Sequence, residues 1–156
     1  MTPVVHILLP DIRSAYNVGS IFRSADCFGA LKLYLTGTTP RPVDRFNRPQ
    51  KEIAKTALGG EKAIPWEYFD TAKEVIKKAK KDGFTIVAIE QSSKSIDIKT
   101  FTKTEKILCI FGNEVDGVPK EILKLCDEVI EIDMKGEKES LNVSVCAGVV
   151  LYELLQ

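Results

Sequence analysis

The amino-acid sequence predicts an α/β fold in which helices cover a parallel β-sheet. Short apolar runs rich in β-branched residues alternate with amphipathic segments of helix length, which is the pattern of parallel βαβ units. Most of the short runs are apolar throughout, as expected of strands that are buried on both faces. The chain has 156 residues, of which 44% are hydrophobic, so we expect one domain spanning residues 1–156.

The pattern predicts strands and helices in alternation along the chain. The predicted strands are Val4–Leu9, Leu31–Thr36, Phe84–Glu90, Lys106–Phe111 and Glu128–Met134. The predicted helices are Val18–Phe28, Lys51–Leu58, Thr71–Lys81, Lys120–Cys126 and Val143–Leu155. Asp70 and Pro119 serve as N-terminal helix signals. The segment Thr36–Gln50 contains three prolines and three arginines, so we interpret it as an irregular loop that contacts substrate.

The charge of the chain is balanced overall and uneven locally. Lys plus Arg and Asp plus Glu both number 22, so the chain lacks the strong positive field of many nucleic-acid-binding proteins. Between Arg41 and Lys55, however, five basic residues accompany two acidic ones. This local excess predicts a patch that faces phosphates.

Several classes of protein are disfavoured by what the sequence lacks. Its apolar runs are shorter than a membrane span and its first residues do not resemble a secretory signal, so we expect a cytoplasmic protein without a membrane span. His6, the only histidine, lies within a predicted strand, which leaves Ser–His and Cys–His systems without a base. Phosphate-loop and dinucleotide fingerprints are absent. The cysteines form no CxxC pair, and we interpret them as small buried hydrophobes: Cys27, Cys109, Cys126 and Cys146.

Polar residues follow the first strand directly, between Asn17 and Asp26. Asn17 suits a helix N-cap and Gly19 permits close approach of backbones, so a structural role accounts for both. Arg23 lies further into the helix, beside apolar neighbours that face inward. We expect its guanidinium to point back towards the carboxyl edge of the sheet, where α/β folds bind ligands, and to bind a phosphate there.

A second polar segment, Ile110–Pro119, leads from a strand into a helix. Its turn residues suit an ordinary connection, but Glu114 and Asp116 lie at the carboxyl end of a strand, beside Gly112 and Gly117. Glycines at such a position bring backbone groups against a ligand. Paired acids also suit metal binding or acid–base chemistry, but no histidine or third carboxylate accompanies them, so we predict no metal.

A third polar segment, Ile130–Ser144, leaves a strand and leads into the last helix. Ser140 and Asn142 both lie where this helix begins, and N-capping accounts for only one of them, which leaves the other free for a polar site. The helix itself is apolar nearly all round, with small residues on one face. We therefore expect this region to associate with a second copy of the chain.

Taken in order, the three segments resemble the signature motifs of the SpoU/TrmH group of SPOUT RNA methyltransferases. NVGSIFRSADCFG resembles the first motif, IFGNEVDGVP the second and IEIDMKGEKESLNVSVCAGVVLYEL the third. The resemblance implies helices on both faces of the sheet, a C-terminal trefoil knot and a homodimer with the knot at its interface. It also implies that S-adenosylmethionine donates a methyl group to a ribose 2′-hydroxyl of RNA, with transfer RNA favoured over ribosomal RNA.

The resemblance also implies roles for individual residues. The implied catalytic residues are Asn17, Arg23, Glu114, Ser140 and Asn142. The implied cofactor residues, acting mainly through backbone groups, are Ile89, Glu90, Gly112, Ile132, Met134, Ser140 and Leu141. The predicted RNA-binding residues are Arg23 and, from the basic loop, Arg41, Arg45 and Arg48. Because a guanidinium rarely loses its proton, we assign Arg23 to a phosphate and to orienting the 2′-hydroxyl, and leave open whether it also accepts a proton.

Two other functions stay open at the level of the sequence. A non-catalytic RNA-binding or assembly factor would share the fold and lack methyl transfer, and binding of S-adenosylmethionine would argue against it. A small-molecule hydrolase would use Glu114 and Asp116 and would depend on a metal. Larger family members carry additional RNA-binding segments at either end, whereas this chain begins in its first strand and stops at Gln156. We therefore expect the core and its dimer mate to recognise RNA by themselves.

Overall fold

A computed structural model describes all 156 residues and contains seven strands and six α-helices. The strands are β1 (Val4–Pro10), β2 (Lys32–Thr36), β3 (Trp66–Phe69), β4 (Thr85–Ile89), β5 (Ile96–Asp97), β6 (Lys106–Phe111) and β7 (Glu128–Glu131). The helices are α1 (Ala15–Phe28), α2 (Lys51–Ala57), α3 (Gly60–Ala63), α4 (Ala72–Lys81), α5 (Lys120–Leu123) and α6 (Val143–Leu155). A short 3-10 helix, Ile98–Thr100, follows β5.

All strands join one sheet in the order β3-β2-β1-β6-β4-β7-β5, and every pairing is parallel. The central pair is β1 with β6, in a register that sets Val4 beside Lys106 and Leu8 beside Ile110. Because all strands point the same way, their carboxyl ends lie along one edge of the sheet, called here the carboxyl edge. The opposite edge is called the amino edge.

Alternation of side chains along the strands builds an apolar layer on each face of the sheet. In β1, Val5, Ile7 and Leu9 pack in a layer with α1, α2 and α6, whereas Leu8 packs in the opposite layer with α4 and α5. All four side chains are completely buried. The structure therefore confirms a parallel sheet with helices on both faces, while the trefoil knot stays a prediction.

Close packing of α1 and α2 depends on Gly19. A Cβ at this position would clash with the Ile53 carbonyl oxygen and with Thr56 Oγ1. Thr56 Oγ1 in turn donates a hydrogen bond to the Tyr16 carbonyl oxygen at 2.8 Å. The close approach predicted at Gly19 is therefore confirmed, and it serves the packing of two helices.

The structure contains the predicted strands and helices and adds four short elements that the sequence pattern did not reveal. These are the outer strands β3 and β5, the single-turn helix α3 and the 3-10 helix Ile98–Thr100. The last predicted strand ends at Glu131 rather than Met134. Two predicted caps are wrong, because Ser14 and not Asn17 caps α1, and Thr71 and not Asp70 caps α4.

Two expectations from composition can be compared with the structure. The prediction that the cysteines are buried holds for Cys109 and is wrong for Cys27, which is exposed, while Cys126 and Cys146 are half-buried. None of the helices combines the length and the apolar character that crossing a bilayer requires.

Candidate active site

A cavity of about 520 Å³ opens at the carboxyl edge, where β4, β6 and β7 end. Its wall is formed by three segments of chain, residues 89–91, 111–123 and 132–146, and includes both apolar side chains and polar backbone. The seven residues predicted to hold a cofactor all line it: Ile89, Glu90, Gly112, Ile132, Met134, Ser140 and Leu141. The structure thus brings together residues that are up to 52 positions apart in the sequence.

Hydrogen bonds tie the three segments of the cavity wall to one another. Glu90 Oε2 accepts from the Val118 backbone N–H at 2.9 Å, and Glu90 Oε1 accepts from the Gln91 N–H at 3.0 Å. Gln91 Nε2 donates to the Glu139 carbonyl oxygen at 2.7 Å. Glu90 therefore contributes its carboxylate to the shape of the cavity, in addition to any backbone role.

Gly112 permits a close approach between its own backbone and the backbone of Gly117. A Cβ at Gly112 would lie 2.7 Å from Gly117 Cα and would clash with the neighbouring carbonyl carbon. Gly112 and Gly117 therefore pack against each other, and a contact of their backbone groups with a ligand stays a prediction. Gly112 lines the cavity at this crossing.

Side chains from all three sequence motifs meet in one hydrogen-bonded network beside the cavity. Asn17 Nδ2 donates to Glu114 Oε1, and Asn142 Nδ2 donates to Asn17 Oδ1 at 3.3 Å. Asn142 Oδ1 accepts from Ser144 Oγ at 2.6 Å and from the Ser144 N–H at 2.9 Å, which makes Asn142 the N-cap of α6. An ionised Glu114 can only accept, so it fixes the orientation of the Asn17 amide and leaves Asn17 Oδ1 facing Asn142.

The network contains three of the five predicted catalytic residues, and the other two lie outside it. Ser140 lies at the cavity wall. Arg23 lies six residues after Asn17 on α1, so the two side chains project about 120° apart around the helix. Arg23 is exposed and lines a separate groove between α1, α2 and α6, together with Ser144 and Tyr152. The expected reach of Arg23 into the site at the carboxyl edge is thus not made within one chain.

The three arginines of the loop after β2 lie on the surface. The Arg41 guanidinium stacks 3.6 Å above the ring of Tyr68, whose hydroxyl donates to the Gly37 carbonyl oxygen at 2.7 Å. Arg48 Nε donates to Asp44 Oδ2 at 2.7 Å. Arg45 makes no ion pair.

Four further residues shape the site without having been predicted. Asn113 Oδ1 accepts from the N–H groups of Val115 and Asp116 and so forms the turn that presents Glu114. An Asn after a glycine at the end of a strand is a turn signal by which Asn113 could have been found in the sequence. Gln91 and Ser144 carried no comparable signal, since their roles depend on partners distant in the sequence. Cys146 adds a neutral wall to the cavity, because burial raises the pKa of its thiol to about 11.

The pattern of acids does not form a metal site. No group of three or more His, Cys, Asp or Glu side chains lies close enough together to hold a metal ion. Glu114 and Asp116 are both exposed, and Glu114 is engaged by Asn17. The arrangement instead offers amide and carboxylate oxygens beside a cavity that is lined by apolar side chains and polar groups.

Comparison with known proteins gives a family for this arrangement. Residues 4–152 match the model of the SpoU rRNA Methylase family. The chain belongs to this family. The SpoU membership predicted from the three motifs is thus confirmed.

Relatives of this SpoU chain include two that are named tRNA (guanosine(18)-2′-O)-methyltransferase. The relative from Thermus thermophilus is 31% identical over 151 residues, covering 97% of this chain and 74% of the relative. The relative from Aquifex aeolicus is 30% identical over 147 residues, covering 94% of this chain and 66% of the relative.

A solved structure described as an AdoMet-bound rRNA methyltransferase from Sinorhizobium meliloti matches this SpoU chain with a TM-score of 0.88 and 26% identity. The match covers 99% of this chain and 56% of the other. The SpoU chain therefore spans little more than half the length of that protein.

Proposed function

We propose that residues 1–156 form one methyltransferase domain that moves a methyl group from S-adenosylmethionine to a ribose 2′-hydroxyl of RNA, with transfer RNA as the preferred substrate. The observation that carries the proposal is the network of Asn17, Glu114 and Asn142 beside the cavity, in a member of the SpoU family. The names of the relatives from Thermus thermophilus and Aquifex aeolicus support transfer RNA. The name of the Sinorhizobium meliloti protein supports ribosomal RNA as the alternative.

The cavity suits S-adenosylmethionine in size and chemistry. Its volume of about 520 Å³ lies in the range of small-molecule sites. Ile89, Ile132 and Leu141 offer apolar surface for a planar base, while backbone groups around Gly112 and Ser140 offer donors and acceptors. The bound cofactor would supply a methyl group on a cationic sulfur, which needs no further activation. The work left to the chain is to hold and align the reacting groups.

The polar network suits the alignment of a ribose hydroxyl. Glu114 keeps a second carboxylate oxygen beyond the one that Asn17 engages, and it can accept a hydrogen bond from a hydroxyl. Asn142 is held on both sides, by Asn17 and by Ser144, so its position beside the cavity wall is fixed. A rigid set of acceptors of this kind restricts the hydroxyl to a narrow range of approach.

Arg23 fits the binding of the phosphate next to that ribose. Its guanidinium is exposed and carries no ion pair within the chain. A planar guanidinium binds a phosphate through two parallel hydrogen bonds, and it keeps its proton at any physiological pH. We therefore assign Arg23 to the RNA and not to the cofactor.

We propose a homodimer that forms through α1 and α6. Such a dimer would bring Arg23 of one chain to the cavity of the other. The outward face of α6 carries large apolar side chains that the chain leaves uncovered, with Val145 52% and Tyr152 55% exposed. They border the groove that holds Arg23. Covering this face with a second copy would bury apolar surface and bring Arg23 to an interface.

The proposed function is tested by supplying the protein with labelled S-adenosylmethionine and unmodified transfer RNA or ribosomal RNA, then mapping 2′-O-methyl groups. Transfer is expected with wild type and is expected to be lost in Arg23→Ala, with cofactor affinity changed by only a few fold. Binding of both ligands without transfer by wild type would instead identify a non-catalytic RNA-binding factor. We expect this chemistry to take place in the cytoplasm.

A mixed dimer tests how Arg23 reaches the site. Arg23→Ala and Asn142→Ala chains, each nearly inactive alone, are combined into a mixed dimer. One of its two sites then has both residues intact, so the mixed dimer is expected to regain up to about half of the activity of the wild-type dimer. Sedimentation should give twice the chain mass of 17.3 kDa. Absence of any recovery in a stable mixed dimer would mean that Arg23 acts within its own chain.

A further inference from the structure

The loop between β2 and α2 ends in a small ordered hairpin. The Gln50 N–H donates to the Pro42 carbonyl oxygen at 2.8 Å, and the Asp44 N–H donates to the Arg48 carbonyl oxygen at 3.0 Å. Val43 and Pro49 pair across the hairpin. These bonds define a tip of residues 44–48 in the loop that follows the carboxyl end of β2.

The tip holds an aromatic ring away from the protein core. Phe46 is 62% exposed. Its backbone N–H donates to Asp44 Oδ1 at 2.8 Å, and the same oxygen accepts from the Arg48 N–H at 3.0 Å. Hydrogen bonds from the Arg48 backbone and side chain hold the pKa of Asp44 below its usual value, so the carboxylate stays charged and keeps the tip in shape. The exposure of Phe46 is therefore a fixed feature of the hairpin.

Two guanidinium groups flank this ring. The Arg45 and Arg48 guanidinium carbons lie 4.8 Å and 5.0 Å from the ring centroid. Arg48 is paired with Asp44, whereas Arg45 has no acidic partner. Arg41, which belongs to the same loop, stacks on Tyr68 of β3. The surface thus combines a solvent-exposed aromatic ring with guanidinium groups that lie over it and keep hydrogen-bonding capacity.

This combination matches a nucleotide better than an apolar partner. An apolar protein partner would have to desolvate the arginines, and the free-energy cost of this desolvation would exceed the gain from burying one aromatic ring. A nucleobase stacks on an aromatic ring irrespective of its sequence, and its phosphates bind guanidinium groups. A ring can be reached in this way only by a base that is free of its duplex partner.

The hairpin also lies on the side of the molecule where such a base would be near the cavity. It continues from the carboxyl end of β2, and β2 is separated from β4 by β1 and β6. Three strand spacings amount to about 14 Å along the carboxyl edge. The strand ends from which the hairpin and the cavity wall continue are therefore close enough for one RNA strand to contact both.

We propose that Phe46 stacks on an unpaired base of the RNA substrate while Arg45 binds an adjacent phosphate, so that the chain selects RNA with a single-stranded segment beside the target ribose. The proposal rests on the proposed function, because it presumes an RNA substrate. It assigns the hairpin a part in specificity that the phosphate contacts of its arginines alone would not give.

The test compares a short single-stranded RNA that contains 2-aminopurine with the same strand annealed to its complement. Phe46→Ala is expected to bind the single strand about 10-fold more weakly and the duplex nearly as wild type does, because only the single strand offers a base for stacking. Wild type should quench 2-aminopurine fluorescence, and Phe46→Trp should keep both quenching and affinity. The matched control is Leu31→Ala, which removes an exposed apolar side chain, 53% exposed, at the amino edge and should change neither.

Salt dependence separates the ring from the charge. Arg45→Ala should lower the slope of log affinity against log salt by about one unit, whereas Phe46→Ala should leave this slope unchanged. Equal weakening of single strand and duplex in Phe46→Ala, or no weakening of either, overturns the stacking proposal. If wild type methylates RNA and Phe46→Ala does so with unchanged affinity, only the stacking proposal fails. If wild type neither binds nor methylates RNA, the proposed function fails as well.

Discussion

The two edges of the sheet use polar residues in opposite ways. At the amino edge the chain enters its strands through short turns, and charged groups find partners close by. The His6 ring packs 4.5 Å from Phe84, and Lys106 lies 5.6 Å from the same ring. Lys106 Nζ also donates to the Asp82 carbonyl oxygen at 3.1 Å. These groups cover the end of the core and bind one another.

At the carboxyl edge the chain leaves its strands through long polar segments. Glu114, Asn17 and Asn142 bond to one another but stay exposed or half-exposed beside an open cavity. The same sheet thus has one edge whose polar groups stabilise the fold and one whose polar groups can still bind a ligand. Changes to polar side chains at the carboxyl edge should therefore impair chemistry more than stability, and changes to polar side chains at the amino edge should do the reverse.

Of the changes that compare the two edges of the sheet, the largest effect is expected at Asn142. Asn142→Ala should lower methyl transfer by about 100-fold, since small errors of alignment have effects of this size. It should also destabilise the fold by about 1 kcal/mol, because it removes the N-cap of α6. Single-turnover transfer and urea unfolding measure the two effects separately.

Asn142→Asp is the matched variant for this prediction. Aspartate keeps the capping oxygen and loses the donor that Asn142 directs at Asn17. The stability that is lost in Asn142→Ala should be restored in Asn142→Asp, while methyl transfer stays low. The amino-edge control His6→Gln should transfer at the wild-type rate. Full activity in Asn142→Asp would show that capping alone accounts for the residue.

Gly112 tests how far the cavity depends on the crossing of two backbones. Gly112→Ala should destabilise the protein by about 3 kcal/mol, because the added Cβ meets the backbone of Gly117, which cannot rotate away. Gly83→Ala at the amino edge meets no atom within 4 Å and should cost only the strain of its positive φ, about 1 kcal/mol.

Denaturant unfolding of both glycine variants gives this comparison directly. Gly136→Ala, which meets no atom and has no strained φ, serves as the neutral reference at the carboxyl edge. Equal losses at Gly112 and Gly83 would mean that the backbone crossing adapts to a methyl group.

Much of the fold could be predicted because its signals are local. The continuous apolar runs of β1 and β6 and the amphipathic pattern of α4 determine their own structure. By contrast, β3 is a half-buried edge strand of four residues and β5 has two, so neither carries an apolar run to detect. The N-cap of α1 is Ser14 and not Asn17, because the helix begins earlier than its apolar residues suggest.

The site could be predicted less completely, since it depends on which face of an element a residue occupies. The three motifs indicated that Glu114 and Asn142 belong together, and the network joins them through Asn17. Arg23 lies in the same motif as Asn17 but projects from another face of α1, which the order of residues in the motif did not show. Ser144, which borders both the network and the groove, was visible only once the elements were packed.

Two clusters of basic residues allow the edges to be compared for RNA binding. Changing Arg41, Arg45 and Arg48 to Ala at the carboxyl edge should weaken RNA binding and lower the salt slope, by nearly one unit for each phosphate that the variant no longer binds. Changing Lys77, Lys80 and Lys81 of α4 to Ala removes the same charge near the amino edge and should change the slope much less. Binding titrations at several salt concentrations measure both. Equal slopes for the two triple variants would mean that RNA responds to total charge and not to the loop.

The smallest effect concerns His6 and the pH dependence of stability. Burial, followed by the charge of Lys32, lowers the pKa of His6 from 6.5 to about 4. The folded state therefore resists a proton that the unfolded state accepts, so this contribution to stability is complete above pH 6.5 and declines as the pH falls towards 4. Because the ring is only half-buried, we expect a loss of roughly 1 kcal/mol across this window. His6→Gln should flatten the fall in unfolding free energy between these pH values, measured against wild type so that the carboxylates cancel. Parallel curves for the two proteins would mean that His6 titrates alike in both states, and that the amino edge is more open to solvent than its packing indicates.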